Sequence, residues 1–435
     1  MKRSIGVHER PPAATSIVLS LQHLFAMFGS TVLVPNLLGV DPAICLMMNG
    51  IGTLLYIFIT KGKIPAYLGS SFAFIAPAGA VIGSSTAGGS YAAALGGFII
   101  VGIIFTVVAL IIQYAGTGWI DVVFPPAAMG AIVAIIGLEL VPVAASMAGW
   151  IPDPNNPAAA ETWVMDKNTV ILSTSTLAVT VLGSVLFRGF MRIIPILFGL
   201  IFGYLLAIPL KMIDMKDALA EASFIQLPTF TTPEFHLTAI IAIAPAALVV
   251  VAEHIGHLVV TSNIVGKDLS KDPGLHRSML GNGISTLISG FVGSTPNTTY
   301  GENIGVLAIT RVYSTYVIAG AAIIAILLSF LGDVSVLISS IPVPVMGGVS
   351  LLLFGVIAAS GLRMLIESKV DYSKPTNLFL TTIILVIGLS GVKLSIGDVE
   401  FKGMALATIV GILLSLLFKL FEVLRMSNDS EASGH

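Results

Sequence analysis

Two stretches of this 435-residue chain hold side chains whose types and spacing could do chemistry. In AEHIGHLVVTSNIV, which begins at Ala252, Glu253 and His257 stand four residues apart and so share one face of a helix, with His254 about 100° around from Glu253. In STPNTTYGENIGVLAITR, Ser294 to Arg311, the carboxylate Glu302 sits among Pro296, Gly301, Gly305 and a row of hydroxyls. Both stretches lie deep in apolar sequence. Ionisable groups are costly at membrane depth and face the bundle interior or a water-filled cavity, so each is a candidate for function. The Glu253/His257 pair suits proton carriage, and Glu302 suits accepting hydrogen bonds from a ligand.

These residue types restrict the ligand. An inorganic anion would meet ionised glutamates, and the sequence places no Lys or Arg inside the bundle to hold it. A metal ion could use Glu253, His254, His257 and Glu302, but EHIGH is not an H-E-x-x-H pattern and no further acidic cluster accompanies it. A neutral planar ring with adjacent N–H donors and carbonyl acceptors fits better. Carboxylates accept from the ring N–H, free backbone N–H groups donate to its carbonyls, and aromatic side chains cover its faces. Such a ring is a pyrimidine or purine base. Structural roles compete for the same residues: Glu253 as a neutral buried carboxyl joining two helices, His23, His254 and His257 as packed histidines, and Phe72 and Tyr300 as core fillers. Asp121 and Glu139 read as interfacial groups near the ends of one span, and Pro125-Pro126 with Pro342 and Pro344 as kinks in helices.

The elements that must position these residues are membrane spans. With 56% hydrophobic and 10% charged residues and a mean hydropathy of +0.99, the chain reads as an integral membrane protein. Its net charge of -2 offers nothing to nucleic acid, and a single cysteine, Cys45, rules out an internal disulfide framework. The basic start MKRSIGVHERPP has no convincing small-residue cleavage site, so the first apolar run is expected to be a retained span. Fourteen apolar windows run from 14–38 to 403–424, most of them near the ~20 residues that cross the hydrocarbon. With both termini inside, sixteen of the 21 Lys and Arg fall on the cytoplasmic side and five outside, as expected when Lys and Arg resist translocation. The polar loops 150–167 and 211–237 then lie outside, and 425–435 reads as a disordered tail.

Two windows, 64–82 and 294–310, are interrupted by Gly, Ser and Pro. Non-helical backbone at membrane depth is tolerated only where it is buried in protein or lines a polar cavity. The two also correspond. QHLFAMFGSTVLV from Gln22 matches EHIGHLVVTSNIV from Glu253 at an offset of 231, which sets Pro65 on Pro296 and Ser71 on Glu302, while NGIGTLL from Asn49 parallels NGISTLI from Asn282. Seven spans per half is an odd number, so the second half is expected upside down. Inverted repeats with an interrupted segment at matching positions point to a secondary transporter with a midplane site.

ENIGVLAITR, Glu302 to Arg311, fits the signature of the nucleobase–ascorbate transporters, the nucleobase:cation symporter-2 family, in which Gln or Glu is followed by Asn-x-Gly-x-x-x-x-Thr-Arg. LQHLFAMFGSTVLVP, KGKIPAYLGSSFAFIAP, FPPAAMGAIVAIIGLEL, AEHIGHLVVTSNIV, DPGLHRSM and GSTPNTTYGENIGV extend the resemblance over nearly the whole chain, toward the bacterial uracil–proton symporters of that family. The resemblance implies an all-α membrane protein of fourteen spans in a 7+7 inverted repeat, with short β-strands in broken spans 3 and 10. It implies a core domain of 1–114 and 238–331, spans 1–4 and 8–11, and a gate domain of 115–237 and 332–424, spans 5–7 and 12–14. It further implies proton-coupled uptake of uracil across a bacterial cytoplasmic (inner) membrane, no enzymatic step, no cofactor beyond the coupling proton, no metal, and a homodimer joined through the gate domains. Carried over by position, Glu253 and Glu302 would hydrogen-bond the ring and the main chain at Phe72 and Gly301 would donate to it. Tyr300 would shape the pocket, His257 would contact the ring through water and share proton coupling with Glu253, and His23 and Ser71 would support the site.

Overall fold

Caps and prolines decide where the apolar runs become helices. The computed structural model describes residues 4–84, 87–154, 160–213, 225–396 and 399–427, so the middle of each long polar loop and most of the expected disordered tail lie outside the described residues. Helix α1 (Ala13–Leu38) stops at Gly39, whose φ of 67° suits glycine. Asp41 then caps α2 (Pro42–Ile59) by accepting the Ala43 N–H, with Pro42 in the first turn, where its missing N–H is no loss. Strand β1 (Leu68–Ser70) leads through one 3-10 turn into α3 (Ile75–Ile82). Ser90 caps α4 (Tyr91–Ala115), and the short α5 (Ile120–Val123) precedes α6 (Pro126–Met147). Asp166 caps α7 (Lys167–Leu186), and α8 (Pro195–Ala207) closes the first half.

The second half opens with α9 (Leu237–Val265) and α10 (Leu275–Val292). Strand β2 (Asn297–Thr299), α11 (Gly301–Thr310), α12 (Thr315–Leu328) and α13 (Gly332–Ser339) follow. The chain ends with α14 (Val343–Glu367), α15 (Pro375–Leu389), the hairpin β3 (Lys393–Ile396) with β4 (Val399–Lys402), and α16 (Gly403–Val423).

Among the described residues eight helices are long and apolar enough to cross a membrane: α1, α2, α4, α6, α7, α9, α14 and α16. The pair α12 and α13, bent by 87°, passes the same test jointly, while Phe72–Ile82, α8 and α15 are shorter apolar helices. The protein is thus a mostly helical, multi-pass membrane protein. The prolines expected to kink helices do something else. Pro126 stands in the first turn of α6, Pro342 caps α14 and Pro344 lies in its first turn, so they start helices, and the prolines inside α1, α6 and α9 are Pro35, Pro142 and Pro245.

Helices α6 and α14 pack along their length because small residues let the backbones meet. A Cβ on Gly137 would strike the Phe354 carbonyl, and one on Gly361 the Ala134 amide. Helices α15 and α16 lie against α6 and against each other, with α7 beside α14 and α8 against α7. In a second group α10 packs on α4 and α2, and α12 on α1 and α2. Helix α9 joins the groups, touching α4 in one and α6 and α16 in the other. Strands β1 and β2, one from each half, pair antiparallel with Leu68 opposite Thr299, Gly69 opposite Thr298 and Ser70 opposite Asn297. At the sequence offset of 231 Leu68 falls on Thr299 itself, so the two interruptions are related by a local two-fold axis passing between those residues.

Candidate functional site

The crossing of β1 and β2 sets the site. Beyond the strands the Ser71 N–H donates to the Pro296 carbonyl at 3.0 Å, and the Tyr300 N–H to the Tyr67 carbonyl at 3.0 Å. The ladder ends there on both sides. The next amides, Phe72 and Gly301, open helical turns, and first-turn N–H groups have no partner within their own helix. Tyr300 is buried over Gly69 and donates its hydroxyl to the Ser70 carbonyl at 2.7 Å. A Cβ on Gly69 would overlap that ring, so the glycine is what lets the tyrosine lie across β1.

A cavity of about 300 Å³ opens at this crossing, at the lower end of the range for small-molecule sites. Of the residues singled out in the sequence, Ser71, Phe72, Glu253, His257, Tyr300, Gly301 and Glu302 all line it. Glu253 and His257 reach it from α9, one turn apart, and Glu302 from the first turn of α11. His257 Nδ1 lies 3.1 Å from Thr299 Oγ1, and its ring stands beside Gly301. Ser71 Oγ, with 2% of the residue exposed, lines the cavity without a hydrogen-bond partner among the described residues.

Two histidines stand apart from the cavity. His23 is buried on α1 behind α11, where the Asn303 side-chain amide donates to its carbonyl at 3.0 Å and lies 3.2 Å from its Nδ1. His254 turns toward α10, with Nε2 2.8 Å from Ser278 Oγ and Nδ1 3.4 Å from Thr299 Oγ1. Both therefore brace the helices that carry the lining residues. Glu139, expected at an interface, accepts the Met404 N–H at 2.8 Å, so a side chain of α6 caps the start of α16.

The sequence reading missed the wall contributed by α14. Val356, Ile357, Ser360 and Arg363 line the cavity, and Arg363 is the one Lys or Arg among the described lining residues. Its Nε donates to Glu367 at 2.7 Å, four residues along the same helix. The charge count sets Arg363 among the sixteen Lys and Arg of the cytoplasmic side, and the structure has it inside α14. The i, i+4 Arg/Glu spacing was the available signal, but nothing local reveals which face of α14 meets α9.

A second cavity adjoins the site. Smaller, at about 70 Å³, it shares His257, Gly301, Ser360 and Arg363 with the first and continues past Val260, Ile264, Ala308 and Glu367, the last turns of α9, α11 and α14. Those helices end near Lys267, Arg311 and Lys369. On the opposite side the Phe72 ring meets Phe354 of α14 edge to face, with centroids 5.7 Å apart.

Broken helices from two halves, meeting at a polar cavity within a many-span bundle, define a membrane transport protein. Solved structures share this fold at low sequence identity. SLC26A9 superposes with a TM-score of 0.67 at 12% identity over 94% of this chain and 65% of its own. The transmembrane domain of a cyanobacterial bicarbonate transporter, BicA, gives 0.59 at 13% over 94% of this chain and 96% of its own. The family model for xanthine and uracil permeases, described as "Permease family", matches residues 14–397. The chain belongs to this family, the nucleobase:cation symporter-2 permeases. It is 64% identical over 424 residues to a uracil permease of Escherichia coli K12, covering 98% of this chain and 96% of that one. It is 62% identical to a uracil permease of Paenibacillus larvae, over 98% and 99%, and 48% to that of Bacillus caldolyticus, over 96% and 95%. These relatives are permeases, not enzymes, and so is this protein.

Proposed function

We propose that the protein imports uracil together with a proton, by alternating access of a core domain against a gate domain. The observation that carries this reading is the meeting of Glu253 and Glu302, from two different helices, in one small cavity beside the Ser71 hydroxyl, unpaired among the described residues, and the helix-opening amides of Phe72 and Gly301. Uracil offers two ring N–H donors and two carbonyls, which that set complements. The close relatives carrying the name uracil permease support the same substrate.

In the proposed cycle a proton settles on Glu253, with His257 one turn along, and removes the charge that would oppose movement through the membrane. Uracil then donates to Glu302 and accepts from the backbone amides. The loaded core, 1–114 with 238–331, moves against the gate, 115–237 with 332–424. Proton and base leave by the path past Val260 and Ile264. The excess of Lys and Arg where that path ends supports reading that end as cytoplasmic, in an inner-membrane protein of fourteen spans with both termini inside. A homodimer would form through the gate domains, leaving the cores free to move. The fold is shared with a bicarbonate carrier, but Arg363, the one cation among the described lining residues, already pairs with Glu367, and the Glu302 carboxylate would oppose an anion, which favours the neutral base.

Labelled uracil uptake into proteoliposomes, with and without an imposed pH gradient, tests the proposal. Uptake that follows the gradient and returns unmodified uracil is the expected result. Uptake indifferent to the gradient would remove the proton, and no competition by uracil for the site would remove the substrate.

A further inference from the structure

The repeated NGIGTLL and NGISTLI place Thr53 on α2 and Thr286 on α10 at matching positions, and the ligand cavity uses neither. Both threonines are fully buried. Because Tyr67 and Ser71 bond across to the other strand, Leu68 turns its N–H and C=O away from β2, and by the same alternation Asn297 turns away from β1. A two-stranded ribbon has two such outer edges, and edge groups left unpaired inside a membrane protein are costly. Here the Leu68 N–H donates to Thr53 Oγ1 at 2.9 Å, and the same hydroxyl lies 3.4 Å from the Leu68 carbonyl. On the far edge Thr286 Oγ1 donates to the Asn297 carbonyl at 3.0 Å. Each threonine stands where a third strand would stand, and each holds the strand of its own repeat.

We infer that Thr53 and Thr286 are positioning residues that fix β1 and β2 against α2 and α10, and through them the Phe72 and Gly301 amides and the Glu302 carboxyl. The one interior difference between the two motifs supports this. A Cβ on Gly52 would overlap Ser285 Oγ and crowd the Asn297 side chain, so glycine in one repeat makes room for serine in the other. The Asn297 side-chain amide uses that space, donating to Ser285 Oγ at 3.0 Å and to the Met48 carbonyl at 2.8 Å, which ties β2 to both helices. Valine keeps the shape of threonine without its hydroxyl, and serine keeps the hydroxyl without its methyl.

The test uses the full-length protein with two readouts, uracil transport in proteoliposomes and hydrogen–deuterium exchange of segments 64–72 and 294–302. The transport readout rests on the proposed substrate, whereas the exchange readout needs no ligand. T53V and T286V are expected to raise the KM for uracil about 10-fold with little change in maximal rate, as loss of one buried hydrogen bond implies, and to speed exchange in the adjoining strand. T53S and T286S are expected to stay within about threefold of wild type. Valine variants with unchanged KM and exchange would overturn the inference, and so would serine variants as impaired as the valine ones, which would assign the effect to methyl packing. Should the valine variants not fold, the serine variants still decide, since loss of affinity in them contradicts it. Absence of uracil uptake by wild type would overturn the substrate alone, leaving exchange to judge the threonines.

Discussion

Glu253 and Glu302 are separate in sequence but face one cavity, and their roles differ by what surrounds them. Glu302 stands in the first turn of α11 and lines the cavity, and in the proposed cycle it accepts from the base. Glu302→Ala should weaken uracil binding about 10- to 100-fold, the usual range for a hydrogen bond to a charged group, measured by calorimetry. Glu302→Gln keeps one acceptor oxygen and should lose less while shifting preference among bases; unchanged affinity in both variants would remove Glu302 from the site. Glu253 shares its helix face with His257, so Glu253→Gln should uncouple uptake from the pH gradient while uracil still binds. Gradient-driven uptake at the wild-type rate would end that role. Arg363 is mostly exposed, and an exposed ion pair is worth about 0–1 kcal/mol, so Arg363→Ala should barely move the thermal midpoint. The residues themselves were legible because carboxyls, histidines and glycines are conspicuous in apolar sequence. Their division into those facing the cavity and those bracing it was not, since His254 and His257 differ only in which neighbour each side of α9 meets.

Among elements, the broken segments and the helix ends carry the constraints. Gly69 is required by the ring of Tyr300, so Gly69→Ala should displace that ring, break its hydrogen bond to Ser70 and weaken uracil binding, with folded yield largely kept. Equal affinity in a binding assay would show the ring to be unimportant. Glu139 acts at a distance as the cap of α16, so Glu139→Ala should lower stability by about 0.5–2 kcal/mol in detergent without altering uracil affinity. On the basic side Lys63 lies 2.6 Å from the Asp272 carboxyl and holds it below the usual carboxylate range, linking the approach to β1 with the turn before α10. A lowered value in the folded state means that the link is complete above the ordinary range and is lost as pH falls through the lowered value. Lys63→Met should therefore differ from wild type in thermal midpoint at neutral pH, by a small amount given its exposure, and converge with it in strong acid. The interruptions could be read from Pro, Gly and Ser within hydrophobic windows. The resemblance implied a short strand in each, whereas which residues pair, and in which register, required the two halves to be brought together.

For the molecule as a whole, the cavity adjoins a second one lined by the last turns of α9, α11 and α14, and in the proposed cycle this is the way to the cytoplasm. Single cysteines replacing Ile264 or Ala308, in a Cys45→Ala background, should react with a membrane-impermeant thiol reagent from the cytoplasmic side, and saturating uracil with a pH gradient should slow the reaction. Labelling from the outside alone would reverse the proposed orientation. The chain by itself determined the membrane setting, the helical class, the repeat and the acidic, lysine-poor character of the spans, because hydrophobic length, charge bias and turn residues act locally and leave their mark residue by residue. Only the tertiary structure decided that α14 supplies a wall with Arg363 and that Phe72 meets Phe354. It alone decided that Pro126 and Pro342 begin helices and that Thr53 and Thr286 close the strand edges. Those outcomes depend on which faces of distant helices pack together, and a run that is apolar all round does not announce its inward face.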